Sequence, residues 1–97
     1  MEQQEGYKIV RTYSAGCFAG YIEKRFTEKN IVMINARRLW YWKGAASLSQ
    51  MAIDGVKFPE ECKFPAPVRV ELTEVIEIID CTEKAQKSIE SVPIWAA

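Results

Sequence analysis

Histidine is absent from this sequence of 97 residues. Its absence excludes the side chain that most often acts as a general base near neutral pH. It also excludes the catalytic triads and the zinc sites that are built on an imidazole. The three cysteines, Cys17, Cys62 and Cys81, are widely separated and form no CxxC pair. They predict free, mostly buried thiols in a reducing cytoplasm, and we expect no metal ion and no cofactor.

The sequence also has no net excess of positive or negative charge, because 13 lysines and arginines balance 13 aspartates and glutamates. Proteins that coat nucleic acids or lie on membrane surfaces need a field of one sign, so we expect neither as a partner. No apolar run approaches the roughly 18–20 residues of a membrane-spanning helix. The polar, acidic residues 1–6 (MEQQEG) predict a disordered tail rather than a signal peptide.

What the sequence does contain is enough apolar surface for one folded domain over residues 1–97, since 48% of its residues are hydrophobic and 27% are charged. A domain of this size buries only roughly 60–65% of the surface that its unfolded chain exposes, so the core is thin. A subunit interface would enlarge the buried surface. We therefore predict a homo-oligomer whose interface uses Ile94, Trp95 and the edge strands.

Three β-prone runs open the chain and are separated by short polar turns. They cover residues 7–13 (YKIVRTY), 17–26 (CFAGYIEKRF) and 31–34 (IVMI), and the gaps are too short for crossover helices. The pattern therefore predicts an antiparallel meander. Gly20 lies inside the second run, which indicates a bulge or a close approach of two backbones.

The second half of the chain predicts two short helices and a further β-prone segment. Residues 47–53 and 83–92 carry apolar stripes at helical spacing, with Ser47 and Thr82 as N-caps. Residues 68–80 form a long β-prone run whose alternation changes phase near Thr73, as a bulge or bend would require. Together these elements predict an α+β fold. It is a small β-rich domain, an antiparallel meander or partial barrel of four to five strands with two short helices.

The densest chemistry lies in residues 35–43 (NARRLWYWK), which combine two arginines, one lysine and three aromatic rings. Guanidinium groups suit phosphate oxygens, and aromatic faces stack on nucleobases, so this run is a candidate nucleotide site. The alternative is a core strand whose rings fill the interior while its arginines pair with Glu71, Glu74 or Glu77. The candidate ligand-binding residues are Arg37, Arg38, Trp40, Tyr41, Trp42, Lys43 and Ser47.

Arg37 and Arg38 point to opposite faces if this run is a strand, so one is expected to be structural and the other functional. Arg38 would share its face with Trp40 and Trp42, whereas Arg37 would share its face with less bulky neighbours. On that ground we expect Arg37 to be the ligand residue.

The small residues 44–47 (GAAS) lead from this run into the first helix and permit two interpretations. A ligand anion could approach the free N–H groups at the helix start, beside Ser47. Alternatively, the segment is a tight connection between a strand and a helix. Glu71, Glu74 and Glu77 have no catalytic spacing and are typical of a solvated strand face.

The run NARRLWYWKGAASLSQMA, with YKIVRTYSAGCFAGYIEKR before it and LTEVIEIIDCTEKAQKSIESVPIW after it, resembles a family of small phage and prophage proteins. The resemblance covers about residues 7–95 and implies an accessory protein made in an infected bacterium. Small non-catalytic phage proteins of this kind often block host defence, and one class acts as sponges that sequester cyclic nucleotide signals. No sponge motif maps onto individual residues of this chain, so that link is an analogy.

The leading functional hypothesis is a non-catalytic phage accessory protein that binds a nucleotide-type anion such as a cyclic dinucleotide. The alternative is a protein-interaction module, either an inhibitor of a host protein or a phage structural or assembly subunit, with the same aromatic rings as anchors. An enzyme is the third hypothesis and the least favoured, since no base is available to activate a nucleophile.

Overall fold

Five strands and two short helices make up the computed structural model, which describes residues 6–96. The strands are β1 (Lys8–Thr12), β2 (Cys17–Arg25), β3 (Ile31–Arg38), β4 (Val68–Leu72) and β5 (Val75–Asp80), and the helices are α1 (Leu48–Asp54) and α2 (Glu83–Ser91). A single 3-10 turn, Pro59–Glu61, interrupts the long connection between α1 and β4. The predicted tail lies outside the described residues, except for the exposed Gly6.

All neighbouring strands are antiparallel, and their order in the sheet is β4-β3-β2-β1-β5. The meander of the first three strands is therefore confirmed, as is the small β-rich α+β fold with an open sheet. The predicted bend at Thr73 separates β4 from β5, which follow each other across two residues but occupy opposite edges of the sheet. The sheet must therefore curl strongly, since its two edges are joined by so short a connection.

Each face of the sheet covers its own apolar cluster. One cluster combines strand residues such as Ile9 and Ala19 with Met51 of α1, Ile89 of α2 and Phe64 of the long connection. The other cluster consists of residues of the five strands, among them Val10, Phe18, Met33 and Leu72. The helices therefore cover one face, and the curl of the sheet encloses the other.

A close approach of two backbones at Gly20 confirms the prediction for that residue. A Cβ atom at this position would lie 2.8 Å from the Cα atom of Ala36 and 2.9 Å from the carbonyl oxygen of Asn35. The pairing of β2 with β3 shifts register immediately after Ala19. Asn35 adopts a φ of 49°, a left-handed conformation that asparagine tolerates better than most residues. β3 is therefore bulged at the point where it enters the candidate site.

The run from Asn35 to Lys43 is not a continuous strand, the condition under which its side chains were assigned to alternate faces. β3 ends at Arg38, although the Leu39 N–H still donates to the carbonyl oxygen of Cys17 at 2.8 Å. β2 begins at Cys17, so no partner strand remains for the next residues of β3. Consequently Leu39 is buried whereas Trp40 and Tyr41 are both exposed, and the predicted alternation of faces fails beyond Arg38.

Both helices begin at their predicted caps. The hydroxyl of Ser47 accepts a hydrogen bond from the Gln50 N–H at 3.1 Å, and that of Thr82 accepts one from the Ala85 N–H at 3.0 Å. A hydrogen bond connects the two helices: the N–H of Val56, two residues after α1, donates to the hydroxyl of Ser88 in α2 at 3.0 Å. Among residues 6–96, no helix is long and apolar enough to cross a membrane.

Candidate ligand-binding site

Arg37 is buried, with 3% of its surface exposed, and all five guanidinium N–H groups have backbone acceptors. The acceptors are the carbonyl oxygens of Phe64, Pro65, Ile89, Val92 and Pro93, at 2.7–3.4 Å. No N–H group is left for a ligand. The expectation that Arg37 rather than Arg38 is the ligand residue is therefore wrong. The face of β3 that carries Arg37 is covered by the long connection and by the end of α2.

The buried charge of Arg37 is balanced by carbonyl dipoles. Two of its acceptors, Ile89 and Val92, lie at the C-terminal end of α2, where the helix dipole favours a cation. Burial nevertheless lowers the pKa of the guanidinium from its ordinary value. The predicted pairing with a glutamate is also wrong, since Glu77 accepts from Arg11 at 2.9 Å and Glu74 accepts from Ser14.

Arg38 lies on the opposite face of β3, as the alternation predicts. Its guanidinium carbon is 4.4 Å from the ring centroid of Phe18, and its Nη1 donates to the carbonyl oxygen of Ala15. Lys43 forms an exposed ion pair with Glu61 at 3.1 Å. The sequence places these two cations in one site, whereas in the structure each has a protein partner of its own.

Ser47 is used by the fold rather than left for a ligand. Its hydroxyl caps α1, and the Gln50 side chain accepts from the Ala46 N–H at 2.9 Å. The start of α1 is therefore capped by its own residues, which favours the tight-connection interpretation of residues 44–47. Trp42 likewise packs against the helix-covered core and is not part of the exposed surface.

Trp40 and Tyr41 belong to a cluster that we call the aromatic surface, formed by Trp40, Tyr41, Lys63 and Trp95. The rings of Trp40 and Trp95 are nearly parallel, with centroids 6.4 Å apart and planes inclined by 8°. The Lys63 ammonium lies 5.6 Å from the Trp95 ring centroid and 5.9 Å from that of Tyr41. The three aromatic residues are 41–63% exposed, so part of each is accessible to a ligand.

Backbone hydrogen bonds hold the three segments of the aromatic surface together. Tyr41 and Lys63 exchange N–H to carbonyl bonds of 3.3 and 2.8 Å, and the Trp95 N–H donates to the Phe64 carbonyl oxygen at 3.0 Å. Lys63 is not among the site residues predicted from the sequence, and Trp95 was predicted to lie in a subunit interface. No local pattern marks either residue, because long-range pairing brings the three segments together.

A pocket of about 270 Å³ opens beside this surface. Its walls are formed by Tyr7, Asn35, Arg37, Pro67, Glu90, Val92 and Ile94. Ile94 directly precedes Trp95, so the pocket and the aromatic surface share the segment 94–95. The apolar walls come from Pro67, Val92 and Ile94, and the polar groups come from Tyr7, Asn35, Arg37 and Glu90.

Tyr7 is the unusual polar residue of this pocket. Only 3% of the surface of Tyr7 is exposed, and its hydroxyl has no hydrogen-bond partner among residues 6–96. Burial, with the nearby Glu90 carboxylate, raises the pKa of Tyr7 well above its ordinary value of 10.0. The hydroxyl is therefore protonated at neutral pH. An edge-to-face contact with Tyr21, at 5.3 Å between ring centroids, orients the Tyr7 ring.

The cysteines offer no activated nucleophile. Burial raises the pKa of the Cys81 thiol to about 11 and raises the pKa of Cys17 and Cys62 as well. Cys62 is buried and the other two are half-buried, and all three are free thiols. Within the described part of the chain, no group of three or more cysteine, aspartate or glutamate side chains could hold a metal ion.

Comparison with known proteins places the chain in a family. Neither the curated proteins nor the solved structures include a match to it. A family model described as a domain of unknown function (DUF6948) matches residues 5–89, which include the five strands, α1 and most of α2. Since the match spans most of the chain, the protein belongs to the DUF6948 family.

Proposed function

We propose that this protein is a non-catalytic binding module for a nucleotide-type ligand, held by the aromatic surface and the adjoining pocket. The observation that carries the proposal is Lys63, whose ammonium lies within 6 Å of the Tyr41 and Trp95 rings. Lys63 forms no ion pair with a carboxylate of residues 6–96. A cation without a counter-ion beside exposed aromatic faces is suited to a phosphate that carries a nucleobase.

The arrangement offers one ligand two kinds of contact. The exposed faces of Trp40, Tyr41 and Trp95 supply stacking area for a base, and Lys63 supplies the charge for a phosphate. The pocket behind Ile94 offers room for a second ring. These features suit a cyclic dinucleotide, in which two bases flank a ring of alternating riboses and phosphates. In an infected bacterium, a module of this kind would act in the cytoplasm by sequestering such a signal.

A protein partner is the second candidate function, and the exposure of Ile94 favours it. Ile94 is 61% exposed and directly precedes Trp95 in the chain. The ring of Trp95 stacks on that of Trp40, which is 63% exposed. Large aromatic and aliphatic side chains of this kind anchor protein interfaces. A host protein or a second copy of this chain could therefore cover the same surface, and the experiment below distinguishes these occupants from a nucleotide.

The experiment is a thermal-shift screen with cyclic di-GMP, cyclic di-AMP, GMP, AMP and ribose 5-phosphate. A ligand that binds only the folded protein raises the melting temperature by mass action, by the equivalent of about 2.7 kcal/mol at a hundredfold excess over Kd. We expect at least one dinucleotide to do so, and ribose 5-phosphate alone to have little effect. The proposal is overturned if no nucleotide shifts the melting temperature.

A matched pair of lysine variants assigns any shift to the site. Lys63→Ala should weaken the binding of the active nucleotide, whereas Lys24→Ala removes another exposed charge, from β2, and should leave binding unchanged. Equal losses in the two variants would show that binding depends on overall charge and not on the aromatic surface.

A further inference from the structure

We propose that the exposed edge of β4 pairs with β4 of a second copy of this chain, so that two sheets join across a twofold axis at Val70. A twofold axis normal to the sheet makes the two copies of the strand antiparallel. The inference goes beyond the proposed function, because none of the four residues of the aromatic surface lies in β4. It is carried by an edge without hydrogen-bond partners, a self-complementary order of side chains, and the regularity of the strand.

The edge of β4 that faces away from β3 is unpaired. Among the described strands, β3 is the single neighbour of β4. None of residues 68–72 forms any other backbone hydrogen bond within residues 6–96. Because the backbone groups of a strand point alternately to its two sides, this edge presents a row of N–H and carbonyl groups to solvent. Such a row is a template for a further strand.

The side chains of β4 are complementary to themselves. In antiparallel pairing centred on Val70, Arg69 of each copy lies opposite Glu71 of the other. Two pairs of opposite charge therefore flank the axis on one face of the joined sheet. On the other face Val70 lies opposite its own copy, and Val68 lies opposite Leu72. Directly opposite residues have Cβ atoms about 4.5–5.5 Å apart, within reach of contact.

The two charged side chains have capacity for this contact. Glu71 is exposed and forms no ion pair or side-chain hydrogen bond with any of residues 6–96. Arg69 donates from Nε and Nη2 to one oxygen of Glu23, at 3.2 and 2.9 Å. Its Nη1 is left to donate to a second carboxylate. Val68, which is 50% exposed, would be covered by Leu72 of the second copy.

Charge also selects the register. The neighbouring twofold registers place either Arg69 or Glu71 on the axis, where each would face its own copy. Like charges that lie directly opposite each other destabilise a strand pair. The register centred on Val70 is therefore favoured over both, since it alone of the three brings opposite charges together.

β5, the other edge strand, is less suited to pairing. Ile76 is an extra residue in its pairing with β1, which makes β5 bulged, and bulges disrupt edge pairing. The Val75 N–H at its start already donates to the carbonyl oxygen of Lys29 at 3.0 Å. The pairing of β3 with β4 is also irregular, but the extra residue lies in β3 and leaves β4 regular. The second copy is therefore assigned to β4.

The test is light scattering over a dilution series of the protein and its charge-reversal variants. We expect the parent protein to have twice the chain mass of 11.1 kDa at micromolar concentration and to dissociate on dilution, because one short strand makes a small interface. Arg69→Glu and Glu71→Arg each place like charges opposite each other at two points. Each should raise the dissociation constant of the dimer by about tenfold or more. Glu28→Arg makes the same charge change in the exposed turn after β2 and should leave it unchanged.

Mixing the two variants separates an interface from a folding defect. Arg69→Glu carries two acidic residues in β4, and Glu71→Arg carries two basic ones, so a mixed pair has opposite charges at both points. An equimolar mixture should therefore recover twice the chain mass, although each variant alone does not. A variant that had merely lost its fold, for example through the lost contact with Glu23, would not be rescued by mixing.

Three results would overturn the inference. They are a parent protein that stays at 11.1 kDa, a dimer that neither charge reversal weakens, and a mixture that stays dissociated. A dimer that only Ile94→Glu dissociates would overturn it too, and would favour the second candidate function. None of these results except the last bears on nucleotide binding, which Glu71→Arg should leave unchanged.

Discussion

Arg37 of β3 donates from Nη1 to the carbonyl oxygen of Val92 at 2.7 Å, immediately after the last turn of α2. The same guanidinium reaches the carbonyl oxygens of Phe64 and Pro65 in the long connection before β4. One side chain therefore fixes α2 and this connection to the sheet. It also positions the segment that carries Ile94 and Trp95, so the candidate site depends on it indirectly.

Replacing Arg37 by lysine tests this structural role. The ammonium of Arg37→Lys retains the charge but offers only three donors, so at least two of the five carbonyl contacts are lost. We expect the free energy of unfolding to fall by about 2–4 kcal/mol, and the melting temperature by roughly 10 °C or more. Arg38→Lys, at an exposed position, should cost less than about 1 kcal/mol. Equal losses in urea-induced unfolding of the two variants would contradict this role.

Gly20→Ala should disrupt the pairing of β2 with β3. The new Cβ atom would lie 2.8–2.9 Å from backbone atoms of Ile34, Asn35 and Ala36, so the two strands must separate. Overpacking of this kind costs about 1–3 kcal/mol, which thermal unfolding can measure. Gly6→Ala is the control, since its Cβ atom would meet no atom within 4 Å. A Gly20→Ala variant as stable as this control would show that the approach of the backbones is unimportant.

Stability should decline in alkaline solution. Burial raises the pKa of Cys81 from 9.0 to about 11 and raises that of Tyr7 above 10.0, so the folded protein keeps both protons after the unfolded chain releases them. Because the unfolded state then binds fewer protons, the contribution of these two groups to the free energy of unfolding is constant below about pH 8 and falls as the pH rises from 9 towards 11. Denaturant unfolding at several pH values measures the decline.

Variants identify the groups responsible for this decline. Tyr7→Phe should remove the part of the decline above pH 10, and Cys81→Ala should remove much of the part between pH 9 and 10. A parent protein whose stability is the same at pH 8 and pH 10.5 would contradict the assigned pKa directions.

The homo-oligomer predicted from the thin core remains a prediction. β4 and β5 are edge strands and are available for an interface, whereas an interface through the exposed Ile94 and Trp95 would cover the proposed ligand site and belongs to the second candidate function. We expect light scattering at micromolar concentration to give a multiple of 11.1 kDa, and a lower mass for Ile94→Glu would favour that second function. A parent protein of 11.1 kDa under these conditions would contradict oligomerisation.

Local patterns in the sequence predicted most of the fold. The meander follows from three β-prone runs with short gaps, and the helix starts follow from the capping residues Ser47 and Thr82. The interruption at Thr73 was also predicted, but not the consequence that the strands on its two sides lie at opposite edges of the sheet. Strand order depends on long-range pairing, which a phase change within one segment does not encode.

The candidate site was predicted only in part. Trp40 and Tyr41 do lie on an exposed surface, but their partners Lys63 and Trp95 come from distant segments that no local pattern links to them. The role of Arg37 was missed because its acceptors are backbone carbonyls, whereas a sequence displays only the carboxylate side chains that an arginine might pair with. Tyr7 was missed because an unpartnered hydroxyl becomes apparent only once the fold is known.

The most direct test of the account is the tryptophan fluorescence of the protein during titration with cyclic di-GMP. Two of its three tryptophans, Trp40 and Trp95, lie in the proposed site, and a stacked base should quench them to a saturable extent. Base stacking contributes about 1–3 kcal/mol per base, so Trp95→Ala should weaken binding by roughly five- to a hundredfold. A saturable quench that weakens in this variant is the predicted result. The absence of a saturable change, or an identical titration of the parent protein and Trp95→Ala, would contradict nucleotide binding at the aromatic surface.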